Sequence, residues 1–264
     1  MHLPSRTALL GIPLDSNSSF LYGPALAPAR IRQALHNGSG NYWTERGFNP
    51  IEHPNFKDKG TLQYGGYLGI QQAIGHELDA GYRTLCLGGD HSVTYPIMRA
   101  YHERFPDLTI LQIDAHGDLY DNFMGNRYSH ASPFARIMEE GLCRRLVQVG
   151  VRTLNSHQRR QAERFGVEIL EMKDFAEQWT RLRFHGPLYI SLDLDGLDPS
   201  CAPGVSHHEP GGLTTRQVLD LLQHINVDVV GADIVEYNPH RDWADMTATV
   251  AAKFTKEILE LILK

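Results

Sequence analysis

The feature that most constrains this chain is a series of short, nearly continuous apolar runs separated by longer stretches of helical periodicity. TALLGIPL (7–14), TLCLGG (84–89), LTILQID (108–114), RLVQVGV (145–151), VEIL (167–170), PLYISLDLD (187–195) and VDVVGADIVEY (227–237) read as strands. A strand with one wet face alternates apolar and polar residues. Most of these runs do not, so they are expected to be covered on both faces, as strands of a parallel sheet are. Between them, PARIRQALHN, GGYLGIQQAIGHELDAG, SVTYPIMRAYHERF, SPFARIMEEG, NSHQRRQAERFG, TTRQVLDLLQHI and a terminal ATVAAKFTKEILELILK read as helices. The alternation predicts an α/β fold, a three-layer αβα sandwich with a mainly parallel central sheet and its function at the carboxyl ends of the strands. The 264 residues contain no linker, repeat or low-complexity segment, so a single domain over 1–264 is expected.

Polar residues collect at those strand ends. TLCLGG runs into Asp90 and His91, LTILQI into Asp114, His116 and Asp118, PLYISL into Asp193, Asp195 and Asp198, and VVGADIV into Glu236. In LQIDAHGDLYDN (111–122) the three ligand-type side chains stand at every second position, which puts them on one face of an extended backbone. Carboxylates crowded at the mouth of a buried strand repel one another, so something positive must sit among them. The set has two imidazoles, at least five carboxylates and no lysine, which is a poor core and a good nest for divalent cations. His91, Asp114, His116, Asp118, Asp193 and Asp195 exceed what one zinc needs. They point to two ions sharing bridging carboxylates, with a water made acidic enough to attack at neutral pH.

Each piece has a plainer reading when taken alone. D-x-H-x-D at a strand end can be a hydrogen-bonded turn. GGDHS before a helix can be an anion-binding loop, but it lacks a Walker lysine, and Asp90 would repel phosphate. His207, His208 and Glu209 invite a metal reading too; among 14 histidines they are taken as loop groups or supports of the ligands. The conjunction on one predicted rim is what separates the metal reading from these.

With its blocks GGDHS, DAHGD, SLDLDGLDPS, EPGGLT and DIVEYNP, the sequence resembles the ureohydrolases, which split guanidino compounds into urea and an amine. The resemblance extends from GIPLDSNSSF to MTATVAAKF, and RYSHASPFARIMEEG, APGVSHHEPGGL and GADIVEYNPHRD are most similar to plant-type arginases. It implies an αβα fold, two manganese ions (Mn2+) per chain, and a homo-oligomer, trimer or hexamer. It also implies the ligands: His91, Asp114, Asp118 and Asp193 for one ion and Asp114, His116, Asp193 and Asp195 for the other, with Asp114 and Asp193 bridging. Asp118 would further orient the attacking water and pass its proton to the departing amine. His130 matches a histidine at the cleft mouth, expected to shuttle a proton. Glu236 would anchor the cationic guanidinium by charge-assisted hydrogen bonds. Taken alone, His130 could be a surface loop residue and Glu236 a helix-capping carboxylate.

The expected reaction is L-arginine to L-ornithine and urea, with agmatine or another guanidino acid as the alternative substrate. Asn126 and Ser129 in the 119–130 loop are the expected readers of an α-carboxylate. After the G-x-R turn, animal-type arginases carry an Asp and a Glu for the α-amino group; this chain offers Asn155 and Gln158, amides that recognise an ammonium less strongly. A two-metal phosphoesterase would add Lys, Arg or Asn for phosphate oxygens, where Glu236 stands instead. A single-zinc deacetylase would keep fewer carboxylates, and a non-catalytic relative would be expected to lose a ligand. The net charge of −6 argues against a nucleic-acid surface. No apolar run reaches the roughly 18 residues of a membrane helix, and the N-terminus MHLPSRTALLGIPLDS lacks a signal-peptide pattern, so a soluble chain is expected. Cys86, Cys143 and Cys201 form no spaced pair, which fits a reducing cytoplasm.

Overall fold

A computed structural model describes residues 6–264; the first five residues of the expected domain lie outside the described residues. The eight strands are β1 (Arg6–Gly11), β2 (Phe56–Thr61), β3 (Tyr82–Leu87), β4 (Thr109–Ile113), β5 (Arg145–Val151), β6 (Glu168–Glu171), β7 (Leu188–Asp193) and β8 (Val229–Val235). The eight α-helices are α1 (Ala27–His36), α2 (Gly69–Asp79), α3 (Thr94–His102), α4 (Pro133–Glu139), α5 (Ser156–Phe165), α6 (Met172–Gln178), α7 (Thr215–His224) and α8 (Met246–Leu263). All strands join one sheet in the order β2-β1-β3-β8-β7-β4-β5-β6, and every pairing is parallel.

Successive side chains of a strand point to opposite faces, so continuous apolar strands need two covers. The sheet has both. Leu9, Leu85, Leu87, Leu111, Ile113 and Val147 pack on one side with residues of α1, α6, α7 and α8. Ala8, Leu10, Cys86, Ile110, Leu146 and Tyr189 pack on the other with residues of α2, α3, α4 and α5. This is the expected three-layer αβα sandwich. None of the helices among the described residues is long and apolar enough to cross a membrane.

Helix ends follow local chemistry. Asn155 caps α5 by accepting a hydrogen bond from the Gln158 backbone N–H at 3.0 Å, and Gly166 ends it in the left-handed region at φ 65°. Thr214 and Gln217 form a reciprocal capping box at the start of α7. The polar residues gather on the rim formed by the carboxyl ends of the strands, where long segments such as 114–132 and 194–214 lead from strand to helix.

Candidate active site

Four neighbouring strands in the middle of the sheet, β3, β8, β7 and β4, supply all the acidic and imidazole groups read from the strand ends. At the exit of β3 the chain turns sharply against the 12–17 loop. Gly89 permits this, since a Cβ there would stand 1.8 Å from the Leu14 carbonyl oxygen. Asp90 then accepts from Ser92 N at 3.1 Å and from Asn17 N at 2.9 Å, and His91 follows in a single helical turn.

The buried His91 Nδ1 lies 3.1 Å from one oxygen each of Asp114, Asp118 and Asp193. It makes no hydrogen bond. Its other nitrogen, Nε2, lies 2.9 Å from Ser191 Oγ. A ring nitrogen facing three carboxylate oxygens without a hydrogen bond is the arrangement a cation resolves. On the β4 side, Asp114 turns its second oxygen toward His116 Nδ1 at 3.5 Å, and that nitrogen is 3.2 Å from Asp195 Oδ2. Asp114 is therefore shared between two clusters. His91, Asp114 and Asp193 bring ligand atoms within 4.8 Å of one another, and so do Asp114, His116 and Asp195.

The backbone holds these carboxylates in place. Asp114 Oδ1 accepts from His116 N at 2.6 Å and Oδ2 from Gln112 Nε2 at 2.6 Å; Asp193 Oδ1 accepts from Asp195 N at 2.7 Å. Burial pushes the Asp114 carboxyl up, but His116 and His91 outweigh it and hold it well below the usual range. Burial and the Asp114 charge push Asp118 up to about 6, and burial with Asp195 and Asp114 drives Asp193 well above its ordinary value. Against desolvation, the carboxylates draw His91 and His116 well upward. Four acids and two imidazoles at these distances cannot hold their charges comfortably alone. Oxygen and nitrogen donors of this kind suit a hard or borderline divalent pair.

Backbone conformation marks two of the residues. Asp118 has φ 46° and Glu236 φ 64°, left-handed values that cost non-glycine residues of order 1 kcal/mol or more. Glu236, buried at the exit of β8, accepts at Oε1 from His91 N and lies at the same distance, 2.8 Å, from His130 Nδ1. Burial pushes its carboxyl up, and the adjacent His130 outweighs that and lowers it. His130 is desolvated yet raised to about 9 by Glu236. Its Nε2, however, faces the Ser19 backbone N–H at 3.1 Å. The Ser19 amide can only donate to a neutral ring, whereas Ser19 Oγ, closer at 2.7 Å, can accept from a protonated Nε2; in either form Nδ1 carries a proton donated to Glu236.

A cavity of about 240 Å³ opens over these groups, walled by Asp118, His116, His130, Asp193, Asp195 and Glu236, with Ser19, Tyr120, Thr153, Gln158 and His207 around them. Asn126, Ser129 and Asn155 are not on its wall. Asn126 accepts from Tyr128 N and donates to Asn17, Ser129 Oγ accepts from Ala131 N, and Asn155 caps α5 and donates to Tyr120. Their polar atoms serve backbone and side chains of the surrounding loops. Sequence reasoning gave no role to Ser19, Thr153 or Tyr120, and it left His207 as a loop residue or a support of the ligands. His207 stands 5.8 Å from the His116 ring and 5.6 Å from the His130 ring. For Ser19, the available signal was the polar run SNSS directly after a strand pattern. A larger groove of about 880 Å³ lies at the opposite ends of β4 to β7, where Arg145 pairs with Glu168; it holds none of the acid and imidazole cluster.

Comparison with known proteins agrees with this geometry. Arginase 1, mitochondrial, of Arabidopsis thaliana is 47% identical over 287 residues, covering 98% of this chain and 82% of that protein. The N(1)-aminopropylagmatine ureohydrolase of Thermus thermophilus is 38% identical, covering 92% of this chain and 87% of its own. The solved structure of arginase from Medicago truncatula superposes with a TM-score of 0.94 at 42% identity, over 100% of this chain and 89% of that one. The family model described as Arginase family matches residues 5–260, and with the relatives above it shows that the chain belongs to the arginase family.

Proposed function

We propose that this arginase-family hydrolase cleaves L-arginine to L-ornithine and urea, using two manganese ions. His91, Asp114, Asp118 and Asp193 would hold one, and Asp114, His116, Asp193 and Asp195 the other. When bound, such a pair supplies a water acidic enough to attack at neutral pH. With the ions held there, Asp118 would orient the attacking water toward the guanidinium carbon and carry its proton to the departing amine. His130 exchanges protons with solvent at the cavity mouth.

The observation that carries this reading is Glu236. One of its oxygens is committed to His91 N and His130, and the carboxylate still lines the cavity above the acid cluster. The second oxygen is the natural acceptor for a guanidinium N–H. A phosphate substrate would be repelled there.

Arginine is favoured over agmatine by the higher identity to the plant arginase than to the aminopropylagmatine ureohydrolase. We propose a trimer or hexamer as the working form. The cytoplasmic expectation rests on the free thiols Cys86, Cys143 and Cys201. Because the Arabidopsis relative is named as mitochondrial, we propose only a reducing compartment. The test is urea release from arginine, agmatine, guanidinobutyrate and guanidinopropionate by manganese-loaded protein, compared as kcat/KM at one pH. Arginine is expected to lead. Faster agmatine turnover overturns the substrate, and no urea from any of the four overturns the reaction.

A further inference from the structure

Behind the His91 imidazole, a hydrogen-bonded chain runs away from the cavity into the core. Asp233 on β8 is fully buried, and three hydroxyls converge on its carboxylate. Ser191 lies 2.7 Å from Oδ1, and Tyr189 and Thr94 lie 2.9 and 3.0 Å from Oδ2. Ser191 Oγ is also the partner of His91 Nε2. Burying an acid costs desolvation, and burial does push the Asp233 carboxyl above its ordinary value. Apolar packing of β8 has no use for it, since its strand neighbours Ala232 and Ile234 are ordinary core residues.

Counting protons assigns the chain a direction. A hydroxyl has one proton and a carboxylate only accepts. Ser191 commits its proton to Asp233, so toward His91 it can only accept. Nε2 must then carry the imidazole proton, and Nδ1 is left with its lone pair facing Asp114, Asp118 and Asp193. That is the form a cation ligand must take. If the proton sat on Nδ1 instead, it would satisfy those three carboxylates and close the site.

The geometry points to Asp233 as a positioning residue that acts through Ser191 to hold His91 in the tautomer able to bind a cation at Nδ1. This rests on the proposal that the cluster holds metal ions. Asp233→Asn reverses the chain. Tyr189 and Thr94 both donate and keep the amide oxygen on their side, so the amide N–H faces Ser191, whose proton then turns to Nε2 and displaces the ring proton to Nδ1. Ser191→Ala reaches the same end by leaving Nε2–H without an acceptor.

The test equilibrates the full chain in a series of manganese buffers and measures ions per chain by elemental analysis. The unmodified chain is expected to take up two. In Asp233→Asn, and separately in Ser191→Ala, one binding step is expected to weaken about 10- to 100-fold while the other stays as in the unmodified chain. The double variant is expected to be no worse than the weaker single, because both changes break one chain. Tyr189→Phe, which removes a hydrogen bond from the same carboxylate without touching Ser191, should keep both ions. Normal uptake by both single variants overturns the inference, as do additive losses in the double or an equal loss in Tyr189→Phe, which would mark a general core defect. Should Asp233→Asn not fold, Ser191→Ala and its comparison with Tyr189→Phe decide. An unmodified chain that takes up no ion overturns the metal reading and the relay together.

Discussion

Glu236→Gln isolates one charge at the centre of the proposed chemistry. Two donors fix how the new amide must sit: the His91 backbone N–H and the His130 Nδ1–H both point at Oε1 from 2.8 Å. The glutamine oxygen therefore stays with them, and its NH2 takes the place of Oε2, facing the substrate cation. A charge-assisted hydrogen bond becomes two donors in opposition. Hydrogen bonds to charged groups contribute roughly 1.5–3 kcal/mol, which at about 1.4 kcal/mol per decade predicts a 10- to 150-fold fall in kcat/KM. The backbone at φ 64° costs Gln about what it costs Glu, so folding is unaffected to first order. Ion content should not change, because Glu236 is not among the proposed ligands. Urea release is measured with arginine and agmatine beside elemental analysis, and both substrates should fall by the same factor since they share the guanidinium. A kcat/KM within about threefold of the parent, or loss of ions, refutes the reasoning.

Two further predictions concern charge elsewhere. Asp114→Ala removes the carboxylate shared by both clusters and should lose both ions and all turnover, and the metal-free variant should melt lower than the metal-free parent, because Asp114 is the acid that His116 and His91 hold ionised and its loss leaves both imidazoles and the Gln112 amide without that partner; ions retained at full stoichiometry would refute the shared role. Glu45, drawn down from 4.5 to about 2 chiefly by its hydrogen bonds from Arg216, should contribute less than about 1 kcal/mol given the exposure of both side chains. A depressed carboxyl stabilises above its unfolded pKa and stops doing so as pH falls through the folded one. The stability gap between parent and Glu45→Gln, followed by denaturant melts, should therefore be fully open above pH 4.5 and close as pH drops toward 2; a gap that widens on acidification is the contrary result.

Where side chains are buried on both faces, the sequence was legible. Seven of the eight strands are readable from their apolar runs, and β5 is readable to its end residues. β2 is not, because FKDKGT is an edge strand paired only with β1 and carries Lys57, Asp58 and Lys59, the usual protection of an exposed edge. α6 is not, because Phe175 is its single buried residue and one residue shows no period. The strand-end acids and imidazoles were legible since strand position alone brings them together. The substrate-facing wall was not, since Ser19, Thr153 and His207 reach it along loops whose course no periodicity records. Asn155 is the instructive case. Standing just before NSHQRRQAERF, it carries the ordinary mark of a helix cap, and its side chain serves as one rather than facing the cavity.

The strand order has a consequence for how the chain is made. As it emerges from the ribosome, residues 6–87 can assemble β2-β1-β3 and residues 109–193 can assemble β7-β4-β5-β6, but no strand pairing joins the two half-sheets until β8 arrives. The last strand synthesised, Val229–Val235, fills the centre. Until then the nascent protein carries two half-sheets, each with an open parallel edge, at β3 and at β7, built from some of its most apolar sequence. Unpaired edges of this kind invite pairing with other chains, and non-local parallel closure is slow. Release of a truncated product that stops before residue 229 would therefore yield sticky halves rather than a weakened enzyme, and the four-strand rim of Asp, His and Glu exists only once residue 236 has been made.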